Sequence, residues 1–252
     1  MKQYGLIGYP LSHSFSKKYF TNKFEKENIG GAEYQLFPIE TITELPALLA
    51  SHPDLCGLNV TIPYKLPVLK YLDLIEPNAH KAGAVNCIRI SHENAALRLE
   101  GFNTDVYGFE MSLRSLLKPH HTNALVLGDG GAAKAVKCVL EILGIGFKVV
   151  TRKAHPGNLL FNALTADDIK QHTLIINTTP IGTSPNIDEC PPIPYEGITA
   201  DHLLYDLIYN PEKTLFLAKG EQHGAAIKNG YEMLVLQAEK SWEIWARNEN
   251  HP

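Results

Sequence analysis

Short apolar runs alternate along this chain with segments in which apolar residues recur at helical spacing. Apolar runs between turn residues predict strands, and in the first hundred residues these are 4–8, 33–38, 57–60, 84–90 and 96–100. Helical spacing predicts helices between them, over 15–28, 43–50 and 63–74. Strands that alternate with helices indicate an α/β fold with a mostly parallel sheet.

A second unit is predicted from about residue 106, where the same alternation starts again. Its predicted strands are 123–127, 148–151, 173–177 and 203–207. Its predicted helices are 106–117 and 134–143. Strands and helices in this order are typical of a Rossmann-type half. A long final helix, over 230–248, is expected to pack back on the first unit.

Composition narrows the class of protein. The chain has 252 residues, of which 44% are hydrophobic, and a formal net charge of −4, so no basic excess suggests a nucleic-acid partner. No apolar run approaches the roughly 20 residues of a membrane span, and no secretory signal is recognisable. The four cysteines are far apart and form no CxxC pair, which predicts reduced thiols, no metal site and a cytoplasmic protein. A monomer and a homodimer both remain open.

A glycine turn lies between the strand 123–127 and the helix 134–143. It fits the G-x-G-x-x-A dinucleotide pattern, with Gly128 for the tight turn, Gly130 for approach of the pyrophosphate and Ala133 for close helix packing. The helix N-terminus favours phosphate. A plain glycine turn is the alternative, but the position between strand and helix favours cofactor binding. The predicted domains are therefore 106–229 for the cofactor and 1–105 with 230–252 for the substrate.

The end of the following strand predicts which dinucleotide is bound. NAD-binding chains usually carry a carboxylate there, whereas this chain has Thr151, Arg152 and Lys153. Arg152 and Lys153 are suited to the 2′-phosphate of NADP, although two solvated surface cations would look the same. Asp129 is unusual, because it places a negative charge inside the phosphate turn. Its side chain must point away from the phosphates or cap a backbone N–H, or it weakens binding.

Polar residues follow several strands of the first unit. Ser14 and Ser16 stand at a predicted helix start, where they suit an anion, although one of them is expected to cap the helix. Thr61 and Lys65 follow another strand. Asn86 is an amide in an apolar strand and needs a partner. Ordinary turn chemistry explains each residue alone, but together they mark the edge at which open α/β sheets bind ligands.

These residues carry a resemblance to a known family. Seven motifs match, in order, those of the shikimate dehydrogenase family: Ser14-x-Ser16, Asn59-Val-Thr61-x-Pro63-Tyr64-Lys65, Gly83-Ala-Val-Asn86, Asn103-Thr104-Asp105, Asn177-Thr178-Thr179-Pro180-x-Gly182, Asp206-x-x-Tyr209-x-Pro211, and Gly230 with Met233-Leu-Val-x-Gln237-Ala238. The match as a whole runs from residue 5 to about residue 240. The resemblance implies a two-domain α/β enzyme that uses NADPH to reduce 3-dehydroshikimate to shikimate, a step in the biosynthesis of chorismate and the aromatic amino acids.

The resemblance also implies roles for individual positions. Lys65 and Asp105 correspond to the catalytic pair. The residues that correspond to shikimate contacts are Ser14, Ser16, Thr61, Asn86, Tyr209 and Gln237. The residues that correspond to the NADP site are Gly128, Asp129, Gly130, Gly131, Ala132, Thr151, Arg152, Lys153, Thr178, Ile208 and Gly230. Lys65 is expected to exchange the proton of the C3 oxygen and Asp105 to hold it.

Three other functions remain as alternatives. A quinate or mixed quinate/shikimate dehydrogenase belongs to the same superfamily, and Ser16 favours the smaller shikimate site. A catalytically silent sensor would be expected to lose Lys65 or Asp105. A one-carbon folate dehydrogenase shares the two-domain plan but does not need the paired serines. The departures from the family pattern concern the cofactor: Asp129 stands where alanine is usual, and Lys153 changes the sequence after the second strand.

Overall fold

A computed structural model describes residues 1–11, 14–93 and 96–247 of the chain. The chain divides into two compact units. The first consists of Met1–Tyr107 together with the chain from Gln237 onward, and the second is Gly108–Leu236. Each unit contains one six-stranded sheet, so the predicted α/β class with two sheets is confirmed.

The first unit is built on a mixed sheet. Its strands are β1 (Lys2–Ile7), β2 (Ala32–Phe37), β3 (Leu55–Val60), β4 (Leu74–Ile75), β5 (Cys87–Glu93) and β6 (Ala96–Phe102). Its helices are α1 (Phe15–Lys26), α2 (Leu45–Ser51) and α3 (Pro77–Ala82), and α4 (Thr104–Arg114) leads into the second unit. The strand order is β2-β1-β3-β5-β6-β4. Only β5 is antiparallel to its neighbours β3 and β6, so this strand begins at the edge where β1, β3 and β6 end.

An aromatic cluster fills one side of this sheet. The final helix, α8 (Tyr231–Ala246), carries Trp245 into it. The indole stacks on Tyr4 with ring centroids 5.1 Å apart, and its N–H donates to the Ile88 carbonyl at 2.9 Å. Gly57 is needed beneath the ring, because an added Cβ would overlap the indole. Phe20 of α1 completes the contact, 5.3 Å from Trp245 between centroids. These contacts fix the last turns of α8 against the sheet.

The second unit is built on a parallel sheet. Its strands are β7 (Asn123–Leu127), β8 (Gly146–Thr151), β9 (Leu159–Leu160), β10 (Leu174–Asn177), β11 (Leu203–Asp206) and β12 (Ala226–Lys228). Its helices are α5 (Gly131–Ile142), α6 (Ala166–Gln171) and α7 (Leu215–Gln222). The order β12-β11-β10-β7-β8-β9 is that of the Rossmann fold, and its direction of winding reverses between β7 and β10, where such sheets bind dinucleotides.

The helix predicted over 63–74 is wrong. Pro67 has no N–H to donate, which removes a helical hydrogen bond, and the Lys65 carbonyl accepts from the Val85 N–H at 2.8 Å instead of from the next turn. Only a short 3₁₀ turn forms, over Pro67–Tyr71. The other predicted helices and strands form with shifted ends.

None of the helices in the described ranges combines the length and the apolar content that crossing a membrane requires.

Candidate active site and cofactor cleft

Polar groups of the first unit gather at one edge of its sheet. At this edge β3 ends at Val60 and β6 ends at Phe102, and β5 begins between them at Cys87. The Val60 N–H donates to the Asn86 carbonyl at 2.8 Å, and the Asn86 N–H donates to the Phe102 carbonyl at 3.1 Å. These bonds hold together the segments that follow the strands, so the side chains on them converge.

Lys65 and Asp105 form an ion pair at this edge. The Lys65 Nζ lies 2.6 Å from the Asp105 Oδ2, and the two side chains are 21% and 15% exposed. Asp105 lies in the first turn of α4, where a carboxylate is favoured by the helix dipole, and Val85 holds the backbone of Lys65. The pair is sheltered but reachable from solvent, as a group that exchanges a proton with a ligand must be.

Asn86 and Gln237 belong to one buried cluster centred on Thr104. The Asn86 Oδ1 accepts from the Thr104 N–H at 2.6 Å, and the Asn86 Nδ2 donates to the Thr104 hydroxyl at 3.0 Å. That hydroxyl lies 3.5 Å from the Gln237 Oε1 and 3.2 Å from the Ser241 Oγ. Thr104 therefore contacts both predicted substrate residues, Asn86 and Gln237, and Ser241 supports Thr104. No role was predicted for Thr104, although it lies in a quoted motif, or for Ser241.

The two serines of α1 differ in their surroundings. The Ser14 Oγ accepts from the Lys17 N–H at 3.3 Å, so Ser14 is the helix cap that was considered as an alternative. The Tyr34 phenol donates to the Asn59 Oδ1 at 2.8 Å. Burial raises the pKa of Tyr34 well above its usual range, although the nearby Ser16 side chain acts in the opposite direction, so the phenol remains protonated. Ser16 thus lies beside a neutral, buried phenol that is held by Asn59.

Thr61 is placed by the first strand. Its N–H donates to the Ile7 carbonyl at 3.0 Å. Gly8 leaves the space that the Thr61 methyl group occupies, since a Cβ at Gly8 would overlap it. The half-buried Thr61 side chain consequently lies at the same sheet edge as Lys65.

The glycine turn of the second unit fits a phosphate group. Gly128 has φ +99°, and a Cβ there would lie 2.9 Å from the Thr179 Cγ2 and 3.0 Å from the Thr178 Oγ1. Gly130 directly precedes α5, and nothing in the described structure lies within 4 Å of a Cβ built on it. The phosphate groups of a ligand can therefore approach Gly130 and the free N–H groups at the start of α5.

A cleft of about 390 Å³ opens at this turn. Seven of the predicted cofactor residues line it: Gly128, Asp129, Gly130, Thr151, Arg152, Lys153 and Thr178. Four residues outside the predicted set also line it: Phe161, Thr179, Pro180 and Ile181. The last three continue a strand-end motif that is visible in the sequence. Phe161 has no such signal, because only the pairing of β8 with β9 brings it to the cleft.

Asp129 is paired within the turn. Its Oδ1 lies 2.5 Å from the Nζ of Lys137, which extends from α5. The carboxylate that was expected to point away or to cap a backbone N–H is thus balanced by an ammonium.

A buried carboxylate supports the far side of the same cleft. The Asp206 Oδ1 accepts from the Asn177 Nδ2 and from the Ile208 N–H, each at 3.0 Å, and its Oδ2 accepts from the Thr214 hydroxyl at 2.6 Å. Burial raises the pKa of Asp206 to about 6, although these three donors act in the opposite direction. The Asn177 Oδ1 accepts from the Thr179 N–H at 3.0 Å, so Asp206 fixes a segment that lines the cleft.

Three other predicted residues also lie in the second unit. The Gly230 N–H donates to the Ile208 carbonyl at 3.1 Å, and a Cβ at Gly230 would clash with the Leu207 carbonyl. Tyr209 is exposed and lines a separate cleft with Tyr231. Ile208 and Gly230 are therefore neighbours, but they are not among the residues that line the cleft at the glycine turn. Gly131 and Ala132 begin α5 beside that cleft.

Comparisons with known proteins identify the family. Residues 6–88 match the model of the shikimate dehydrogenase substrate binding domain. The chain is 41% identical to a shikimate dehydrogenase (NADP(+)) from Clostridium beijerinckii, over 97% of this chain and 92% of that protein.

Comparison with solved structures leads to the same family. A chorismate mutase/shikimate 5-dehydrogenase fusion protein from Clostridium acetobutylicum superimposes with a TM-score of 0.83 at 36% identity, covering 97% of this chain and 91% of that one. The shikimate 5-dehydrogenase from Thermus thermophilus, in complex with NADP(H) and shikimate, superimposes with a TM-score of 0.82 at 28% identity, covering 97% and 93%. Near-complete coverage of relatives above 30% identity shows that this chain belongs to the shikimate dehydrogenase family.

Proposed function

We propose that this chain is an NADP-dependent shikimate dehydrogenase that interconverts 3-dehydroshikimate and shikimate. The observation that carries the proposal is the Lys65–Asp105 ion pair, 2.6 Å long, at the sheet edge of the first unit. Such a pair suits proton exchange with a ketone or an alcohol.

Lys65 is the proton donor in the direction of reduction. Its ammonium gives a proton to the C3 oxygen as the ketone becomes an alcohol, and the neutral amine takes the proton back in the reverse direction. Asp105 holds the Nζ in place and keeps acceptor capacity for a ring hydroxyl. NADPH supplies the hydride when it is bound.

The first unit, Met1–Tyr107 with the chain from Gln237 onward, is assigned to the substrate. It contains most of the predicted substrate domain, 1–105 with 230–252, except for 230–236. The hydroxyls of Ser14 and Ser16 receive the ring carboxylate, and Thr61, Asn86 and Gln237 receive ring hydroxyls. The connected hydrogen bonds around Thr104 support this assignment, because they restrict the orientation of Asn86. The resemblance also assigns Tyr209 to the substrate.

The second unit, Gly108–Leu236, which contains nearly all of the predicted cofactor domain 106–229, is assigned to NADP. The open approach at Gly130, the cations of Arg152 and Lys153 and the uncrowded start of α5 suit a dinucleotide with a 2′-phosphate. Ile208 and Gly230 are assigned to the nicotinamide end.

We further propose a cytoplasmic location and a monomeric or homodimeric state. None of the four cysteines, all within the described residues, forms a disulfide, which suits a reducing compartment.

The test is absorbance at 340 nm with purified protein, shikimate or quinate, and NADP or NAD. A rise with shikimate and NADP, and a much smaller rise with quinate, is the expected result. Activity with quinate but not with shikimate would replace the proposed substrate. The absence of a rise with every pair would leave the silent sensor and the one-carbon folate dehydrogenase as the alternatives.

A further inference from the structure

The phosphate turn of this chain contains a carboxylate that opposes its ligand. Asp129 lies between Gly128 and Gly130 and lines the same cleft as Arg152 and Lys153. A helix start attracts anions, whereas a carboxylate beside it repels them. Groups of both signs therefore line one cleft.

Lys137 reduces this repulsion. It lies about two turns into α5, and helical side chains tilt toward the N-terminus of their helix, so its Nζ reaches back to the Asp129 Oδ1 at 2.5 Å. An ammonium near a helix N-terminus is disfavoured by the helix dipole, so the carboxylate accounts for its position. The side chains of Lys137 and Asp129 are 28% and 34% exposed, and Asp129 itself lines the cleft.

NAD and NADP differ only on the adenosine ribose, which carries a 2′-hydroxyl in one and a 2′-phosphate in the other. A carboxylate accepts a hydrogen bond from a hydroxyl and repels a phosphate, whereas Arg152 and Lys153 favour the phosphate. Resting on the proposed function, we infer that Asp129 is a specificity-determining residue that limits the preference for NADP over NAD, and that Lys137 is a positioning residue that restrains this effect.

The inference is tested by titrating NADPH and NADH into four proteins and following cofactor fluorescence and heat of binding. The proteins are the wild type, Asp129→Ala, Lys137→Met and the double variant. Asp129→Ala is expected to raise the ratio of NADPH to NADH affinity about tenfold. Lys137→Met leaves the carboxylate without its ammonium and is expected to lower that ratio about tenfold.

The double variant separates positioning from direct contact. If Lys137 acts through Asp129, Lys137→Met has little effect once residue 129 is alanine, and the double variant binds like Asp129→Ala. Lys170→Met is the matched control, because Lys170 pairs with Asp167 on the surface of the same unit and does not line the cleft. It removes the same charge and should leave the ratio unchanged.

Two results would overturn the inference. One is an equal shift of NADPH and NADH affinity in Asp129→Ala, and the other is a Lys137→Met effect of the same size in both backgrounds. Both are distinguishable from failure of the proposed function, in which the wild-type protein would bind neither cofactor or would bind cofactor without oxidising shikimate.

Discussion

Two charged pairs, Lys65 with Asp105 and Lys137 with Asp129, each hold an ammonium against a carboxylate, one at the sheet edge of the first unit and one at the glycine turn of the second. Lys65 and Asp105 were predicted as a pair because each stands in a motif that resembles those of the shikimate dehydrogenase family. Their 2.6 Å pairing required the structure. The partners that orient other residues, such as Thr104 for Asn86 and Lys137 for Asp129, stand apart from them in sequence. Local patterns therefore indicated which side chains to select, and only the fold supplied what holds them.

Replacing Lys65 tests proton transfer. Lys65→Met keeps most of the aliphatic stem and removes the ammonium, so kcat should fall roughly 10²–10⁴-fold with little change in KM for shikimate. Steady-state kinetics with saturating NADP measures this. Lys70→Met, in the nearby 3₁₀ turn, is the control and should behave as wild type. A Lys65→Met enzyme with near-normal kcat would remove Lys65 from the mechanism.

Replacing Arg152 tests recognition of the 2′-phosphate. Arg152→Ala removes the planar donor fork at the end of β8 and should raise KM for NADPH about tenfold or more, because charge-assisted contacts to phosphate are strong. KM for NADH should hardly change, since NADH has no 2′-phosphate. Parallel kinetics with both cofactors measures the difference. An equal rise for both would refute the role of Arg152.

Helices and strands were predicted correctly where the apolar residues have a strong periodicity. The prediction failed where a hydrogen bond to a residue distant in sequence determines the local structure. Four strands of the second sheet, β7, β8, β10 and β11, were predicted from their apolar runs, whereas β9 and β12, of two and three residues, were not. The helix expected over 63–74 is absent, because Pro67 interrupts it and Val85 captures the Lys65 carbonyl. The short helices α3, α6 and α7 were not predicted, since eight residues or fewer offer little periodicity to detect.

The glycine turn allows two glycines to be compared. Gly128→Ala forces a side chain onto φ +99° and against Thr178 and Thr179, so it should lower the free energy of unfolding by about 1–3 kcal/mol. Gly130→Ala adds a Cβ in open space and should leave stability almost unchanged, while it obstructs the approach of a phosphate. Urea unfolding and NADPH titration measure the two effects.

Each of the two glycine variants serves as the experimental control for the other. Equal losses of stability in both would mean that the turn is not shaped as described. Full NADPH affinity in Gly130→Ala would mean that the cofactor does not approach the backbone at that position.

For the whole molecule, buried titratable groups link stability to pH. The His121 Nδ1 accepts from the Lys118 N–H at 3.0 Å, and its Nε2 lies 3.2 Å from the Asp201 carbonyl. This arrangement suits the neutral ring, because one nitrogen must accept. Burial lowers the pKa of His121, although the bond to Asp201 acts in the opposite direction and His120, Lys118 and His202 add to the lowering. The folded protein thus binds this proton less readily than the unfolded chain.

The sign of the pH effect follows from that difference. The contribution of His121 to the free energy of unfolding is present above the ordinary histidine pKa of about 6.5 and is lost as pH falls through the lowered value. Wild type and His121→Asn are compared by urea unfolding at pH 7.5 and about pH 5. The stability advantage of the wild type should shrink at the lower pH. An advantage that does not depend on pH would contradict the predicted linkage.

The contribution of Asp206 to the free energy of unfolding depends on pH in the opposite direction. Its pKa in the folded state is raised to about 6, so its contribution is present at low pH and is lost as pH rises through that value. The total pH profile combines both groups, which is why the difference between wild type and variant, and not the profile alone, isolates His121.

The contact of Trp245 with Tyr4 and Gly57 also bears on the order of events during protein synthesis. The strands β1 and β3 leave the ribosome first, but the indole that covers them is made only after the whole of Gly108–Leu236. The second unit is continuous and can complete its sheet while translation proceeds, since domains generally fold as units. The unit that contains β1 and β3 consequently closes after the second unit, and its aromatic face remains uncovered until the segment that carries Trp245 has been made.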